Sequence, residues 1–291
     1  MNQPLTIWKT ALNQKRPYLS LGDGCRTIGH IIRHQLFDTG IYNIVTENLT
    51  VESILIIIKK FGNTGFIYKG SIEKSIKDTI DLLKNSIIVG TFNVLEASRE
   101  YKIKRFIYVN SAACFGIADK YPTPEDAPKN PQYPYALMKW LGEELAIHWS
   151  QVYDLPVISL RFFNLYGKRA SALFGLFVSK KLDGNPLTIT GDGTQTRDFT
   201  YIGDIVDGIY TAAMSEKVGE IYNIGSGKTV SVNKIAELFE AEIEYIPRRS
   251  GEMDITYGDI TKAKKELNWK PKMEIEEGVP LVLKEIFNQK K

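Results

Sequence analysis

The chain has 291 residues, 43% of them hydrophobic and 24% charged, an ordinary globular composition that can bury a sizeable core. With 37 basic against 34 acidic residues the formal net charge is +3, too balanced and too scattered for a nucleic-acid surface. Two distant cysteines, Cys25 and Cys114, with no CxxC pair, argue against a disulfide framework or a zinc ribbon and make a cytoplasmic protein the expectation. Residues 1–20 contain Lys9, Lys15 and Arg16 and no continuous apolar stretch, so no secretory leader is expected. The longest apolar run of the first 60 residues, Ile54 to Ile58, is far shorter than the ~20 residues of a membrane helix.

The first elements in chain order are written twice. Pro4-Leu5-Thr6-Ile7 recurs as Pro186-Leu187-Thr188-Ile189, and RPYLSLGD at 16–23 recurs as RDFTYIGD at 197–204. Ile41-Tyr42-Asn43-Ile44 recurs as Ile221-Tyr222-Asn223-Ile224. Each is followed by a polar turn, a short alternating apolar pair (Leu49/Val51, Val230/Val232) and a helix-period stretch. The offset between copies stays within about one residue of 181 up to this point, the signature of an internal repeat. The first copy ends at residues 68–83 and the second at 272–286, with Ile72-Glu73 matching Ile275-Glu276. By then the offset has grown by roughly twenty residues, and the first copy has no counterpart of RRSGEMD at 248–254. His30 and His34, four apart on a predicted helix, lack a third metal ligand and read as a solvated face.

Between the copies the pattern alternates. Residues 91–101 read as a helix, and RFIYVN at 105–110 as a buried parallel strand. Residues 135–153 read as a long helix with Leu137, Leu141, Leu145 and Trp149 spaced along one face, and PVISLRF at 156–162 as another strand. This succession predicts a doubly wound parallel sheet. Tyr135 and Lys139 are four apart and share a helix face. A tyrosine with a reference pKa near ~10 is a poor base at neutral pH, and a nearby ammonium would lower that pKa. Ser111 closes a predicted strand, where ligands of parallel sheets collect.

Five stretches taken together carry a family pattern: GTFNVLEASREYKIKRFIYVNSAACFG (90–116), PEDAPKNPQYPYALMKWLGE (124–143), RFFNLYG (161–167), GDGTQTRDFTYIGDIV (191–206) and RRSGEMD (248–254). The sequence from Gly90 to about Ile286 resembles the extended short-chain dehydrogenase/reductases, specifically their nucleotide-sugar epimerases and dehydratases. The resemblance implies a Rossmann-like α/β fold, NAD as cofactor and a nucleotide-sugar substrate. It implies catalytic roles for Ser111, Tyr135 and Lys139, the last two also touching the cofactor. It places Asn164, Arg197 and Arg249 on the substrate diphosphate and Glu252 on its ribose. Dehydratases of this family carry an Asp-Glu pair where this chain has Ala112-Ala113, which favours 4-epimerase chemistry. Phe115 stands where the family commonly has Tyr.

One family element is missing from the sequence. A complete member opens with a strand, a GxxGxxG turn and a helix that cradle the cofactor pyrophosphate. The only candidate, LGDGCRTIG at 21–29, has the wrong spacing, and its Gly22-Asp23 aligns with Gly203-Asp204 of the repeat. The expected fold is therefore a Rossmann-like sheet lacking its first βαβ unit, with a smaller C-terminal α/β substrate-binding region. Three regions are expected: a duplicated substrate-region-like segment (1–83), the second half of the Rossmann-like domain with the catalytic residues (84–165), and the substrate-binding region (166–291). Such a chain reads as a fusion between two related genes. The expected activity is that of a nucleotide-sugar 4-epimerase. The alternative is an inactive remnant or a non-catalytic nucleotide-sugar-binding or partner protein; a homodimer or a mixed dimer with an intact paralogue is conceivable.

Overall fold

The computed structural model describes residues 83–248 and 252–288, together with four short strands among the first 82 residues. The chain divides into two compact units, Met1–Thr79 and Ile80–Lys291. The first unit carries β1 (Leu5–Trp8), β2 (Lys15–Tyr18), β3 (Glu47–Thr50) and β4 (Phe66–Lys69). Strands β1 and β4 run parallel, and β2 and β3 run antiparallel. His30, His34 and the LGDGCRTIG stretch lie outside the described residues.

The second unit begins with a π-helical turn, Lys84–Val89, that runs into α1 (Gly90–Glu100). Then come β5 (Phe106–Ser111), a 3₁₀ turn (Ala112–Phe115), α2 (Pro134–Tyr153), β6 (Val157–Phe162) and β7 (Asn164–Tyr166). The chain continues through α3 (Ala172–Leu182), β8 (Leu187–Thr190), β9 (Thr196–Arg197), β10 (Phe199–Tyr201) and α4 (Ile202–Met214). It closes with β11 (Glu220–Ile224), β12 (Val230–Ser231), α5 (Val232–Glu237), β13 (Ile243–Ile246), β14 (Ile255–Thr256), α6 (Thr261–Glu266) and α7 (Ile275–Asn288). Among the described residues no helix is long and apolar enough to cross a membrane, and no cluster of three or more His, Cys, Asp or Glu could hold a metal.

A parallel sheet in the order β11-β6-β5 forms the centre of this unit. Because side chains alternate along a strand, β6 feeds both of its faces. Ile158, Leu160 and Phe162 pack with Ile205, Ala212, Tyr222 and Trp269 on one side. Val157 packs with Leu95, Tyr108, Ala146 and Trp149 on the other. Helices therefore cover both faces, the doubly wound α/β arrangement expected. The C-terminal part of the unit has its own core of Phe174, Phe177, Leu187, Ile189, Phe239 and Val279, beneath parallel β8–β13 and the three strands β12-β9-β14.

Pro134 occupies the first turn of α2, where its missing N–H costs nothing, and the helix ends at Asp154 in the left-handed region (φ 53°). Its buried face differs from the leucine stripe read from spacing. Leu137 and Leu141 are exposed, while Ala136, Gly142, Glu143, Ala146, Trp149 and Ser150 are buried. The small residues let the helix approach the sheet: a Cβ on Gly142 would overlap the Tyr108 hydroxyl.

Cys114 is fully buried beside Phe115 and Phe163, and burial pushes its thiol up to about 11. A folded-state pKa raised above the unfolded value means the neutral thiol's contribution is complete below about pH 9 and is lost as pH rises toward about 11. In a Cys25→Ser background the native protein should leave Cys114 unreactive toward a thiol reagent at pH 8, with full reaction in denaturant. Rapid native labelling would contradict this burial.

Candidate active site

Ser111 is the last residue of β5, at the carboxyl end of the parallel sheet. Its Oγ accepts a hydrogen bond from the Ala113 N–H at 3.2 Å, which starts the 3₁₀ turn and fixes the hydroxyl at the mouth of the cleft. Tyr135, in the first turn of α2, lines the same cleft as Ser111 and stacks on Tyr133, with ring centroids 6.4 Å apart. Burial raises the phenol pKa above its ordinary value and the neighbouring Ser111 hydroxyl partly offsets this.

Lys139 follows one turn along α2, and its Nζ donates to the Val109 carbonyl at the edge of β5. The ammonium also lies 4.9 Å from the centroid of the Tyr108 ring, and burial pushes its pKa down. The expectation that the ammonium holds the phenol pKa low is corrected here. Lys139 is turned toward the strand edge, and desolvation dominates at Tyr135.

Ser111, Tyr135, Lys139, Asn164 and Arg197 all line one cleft of about 540 Å³. Asn164 Oδ1 accepts from Thr256 Oγ1 at 3.3 Å. Arg197 is buried, with Nη1 donating to the carbonyls of Thr196 (2.9 Å) and Asp254 (3.3 Å). Its Nη2 lies 3.8 Å from Glu252 Oε1. Burial lowers the guanidinium pKa and the Glu252 charge opposes the shift. Glu252 Oε1 accepts from Thr190 Oγ1 at 2.8 Å, while Oε2 is buried without a partner among the described residues. Arg249 lies outside the described residues.

Two supporting networks escaped the sequence reading. Glu143, fully buried on α2 and two turns from Tyr135, receives Nε and Nη2 of Arg161 and the Ser159 hydroxyl. Asp198, fully buried between β9 and β10, accepts from the N–H groups of Ser226 (2.6 Å), Gly227 (3.3 Å) and Gly258 (3.3 Å). The signals available were charged residues in an otherwise apolar strand (SLRF) and helix stripe, and an Asp next to Arg197.

A family model described as GDP-mannose 4,6 dehydratase matches residues 69–282. The chain is 36% identical over 208 residues to a putative UDP-glucose 4-epimerase of Methanocaldococcus jannaschii, covering 67% of each. The chain belongs to the NAD-dependent epimerase/dehydratase family of extended short-chain dehydrogenase/reductases. It is also 36% identical over 206 residues to a UDP-glucuronate 4-epimerase of Thermodesulfobacterium geofontis, covering 67% of this chain and 63% of that protein. Among solved structures it is similar to a UDP-glucuronic acid 4-epimerase of Bacillus cereus in complex with UDP-glucuronic acid and NAD. That match has a TM-score of 0.68 and 27% identity, over 82% of this chain and 86% of that one.

NAD is the cofactor of this family, and the described residues fit it at one end only. Ser111, Tyr135 and Lys139 suit the reacting end. No strand, glycine-rich turn and helix precede β5 among the described residues, and the sequence has no GxxGxxG. Strand β5 is the outer strand of its sheet among those residues. Asn110 beside that edge is 2% exposed, with both side-chain amide atoms unpaired. Among the described residues no element is built to hold the pyrophosphate end.

Proposed function

We propose that the second unit is a nucleotide-sugar site of the 4-epimerase type. A sugar hydroxyl lies between Ser111 and Tyr135, and the diphosphate lies against Arg197. The observation that carries this reading is the cleft that brings Ser111, Tyr135 and a buried, incompletely neutralised Arg197 guanidinium together. Its volume suits a small-molecule ligand. An arginine whose nearest carboxylate is 3.8 Å away has donors left for an anion, and guanidinium meets phosphate oxygens in pairs. Asn164 joins it from β7, and Arg249 is proposed to add a second cation. The unpartnered Oε2 of Glu252 is an acceptor suited to a ribose hydroxyl.

Tyr135 donates to the sugar oxygen in the resting state, and proton removal requires Lys139 to turn from the Val109 carbonyl toward the phenol. Ala112 and Ala113 supply no carboxylate for eliminating water, which supports epimerisation over dehydration. A second reading, a non-catalytic nucleotide-sugar-binding protein, is favoured by the sequence, which has no GxxGxxG turn. In both readings residues 84–165 present the acid/base groups and 166–291 the substrate contacts. The exposed Leu137 and Leu141 give α2 an outward apolar strip for a homodimer or mixed dimer.

Calorimetry with UDP-glucose and UDP-glucuronate tests the site. Saturable binding is expected, weakened about 10- to 100-fold by Arg197→Leu, the loss of charge-assisted hydrogen bonds worth about 1.5–3 kcal/mol. Tyr135→Phe, which removes one hydroxyl and no charge, should bind comparably. Absence of binding to both sugar nucleotides, or binding indifferent to Arg197→Leu, would refute the reading.

A further inference from the structure

The strand pairing of the first unit repeats that of the substrate side of the second. Strands β1 and β4 are parallel with Ile7 opposite Tyr68, and β8 and β13 are parallel with Ile189 opposite Tyr245. Strands β2 and β3 are antiparallel with Arg16 opposite Leu49, and β9 and β12 are antiparallel with Arg197 opposite Val230. Both members of this second pair lie 181 positions on, 16 to 197 and 49 to 230, the same offset at which the sequence repeats. Slipping either pair by one residue would exchange its faces. Agreement in register at the antiparallel pair, with the parallel direction of the other pair also kept, is therefore a specific match.

A dinucleotide-binding half is built on another plan. It opens with a strand, a glycine-rich turn and a helix, and its strands run parallel through right-handed crossovers. An antiparallel β2–β3 pair has no place in that plan. The copies also differ in sequence: Pro17 of the first unit stands where the second has Asp198.

We infer that residues 1–82 are a second copy of the substrate-side lobe, so this chain contributes two such lobes and no cradle for a dinucleotide pyrophosphate. The 291-residue chain then holds sugar nucleotides and not NAD. The inference is independent of which sugar nucleotide the second unit takes.

The test is calorimetry on the intact chain with NAD, run beside UDP-glucose. No saturable heat is expected with NAD up to millimolar concentration, and micromolar NAD binding would overturn the inference. The part of UDP-glucose binding that Arg197→Leu weakens reads the second unit, so its failure refutes the functional reading and leaves the NAD result decisive here. A second measurement reads the lobe directly: cross-strand backbone proton contacts by NMR in the intact chain. Antiparallel contacts between residues 16 and 49 and between 18 and 47 are expected. A parallel pattern there, or no contact, would refute the duplication even if NAD fails to bind.

Discussion

Glu143→Ala should lower the stability of the second unit by about 3–5 kcal/mol, the cost of stranding a buried charge. Arg161 is 2% exposed and relies on Glu143 for neutralisation through a bidentate contact, the shorter arm at 2.5 Å. Its remaining partners are the Glu125 carbonyl at 2.6 Å and the face of the Phe115 ring. Neither cancels a positive charge in a dry interior. For a unit of this size the loss corresponds to a fall in Tm on the order of 10 °C, readable by thermal or urea denaturation. Replacing the pair by apolar residues, Glu143→Leu with Arg161→Met, should recover most of it, because no charge is then left buried. An unchanged Tm in Glu143→Ala would show that the pair does not anchor α2 as the structure implies. The substitution should also weaken the site, since the same helix face carries Tyr135 and Lys139.

Asp198→Asn should cost about 3 kcal/mol, although it keeps the shape of the side chain. One carboxylate oxygen receives the Ser226 N–H and hydroxyl, and the other receives the N–H groups of Gly227 and Gly258. Either orientation of an amide turns an NH₂ donor against other donors. The 225–228 loop and the segment at Gly258 lose their common tie to β9 and β10, which bear on Arg197. Sugar-nucleotide affinity is expected to fall along with denaturant midpoint. A variant that keeps both would contradict the role given to Asp198.

The backbone plan of the second unit was legible because its hydrophobic periods are strong. The strand expected at 105–110 is found at Phe106–Ser111, the helix expected at 135–153 at Pro134–Tyr153, and the strand expected at 156–162 at Val157–Phe162. The site residues described by the structure line one cleft or, for Glu252, contact Arg197 beside it, because the motifs fall at strand ends and in the first turn of α2. Spacing did not tell which face of α2 is buried. A leucine stripe competes there with a stripe of Ala, Gly and Glu, and the choice falls to the closer approach allowed by Gly142. Spacing likewise places Lys139 beside Tyr135 without fixing where the ammonium points. That depends on the Val109 carbonyl, 30 positions away in the chain. Buried charge pairs such as Glu143–Arg161 stay hidden for the same reason, since each partner alone reads as an ordinary polar residue.

A crystal structure of the chain soaked with UDP-glucose would test the proposed site most directly. The hexose 4-hydroxyl should lie within hydrogen-bonding distance, about 2.6–3.2 Å, of both Tyr135 Oη and Ser111 Oγ, with the diphosphate on Arg197. A sugar bound elsewhere, or a diphosphate that leaves Arg197 untouched, would contradict it.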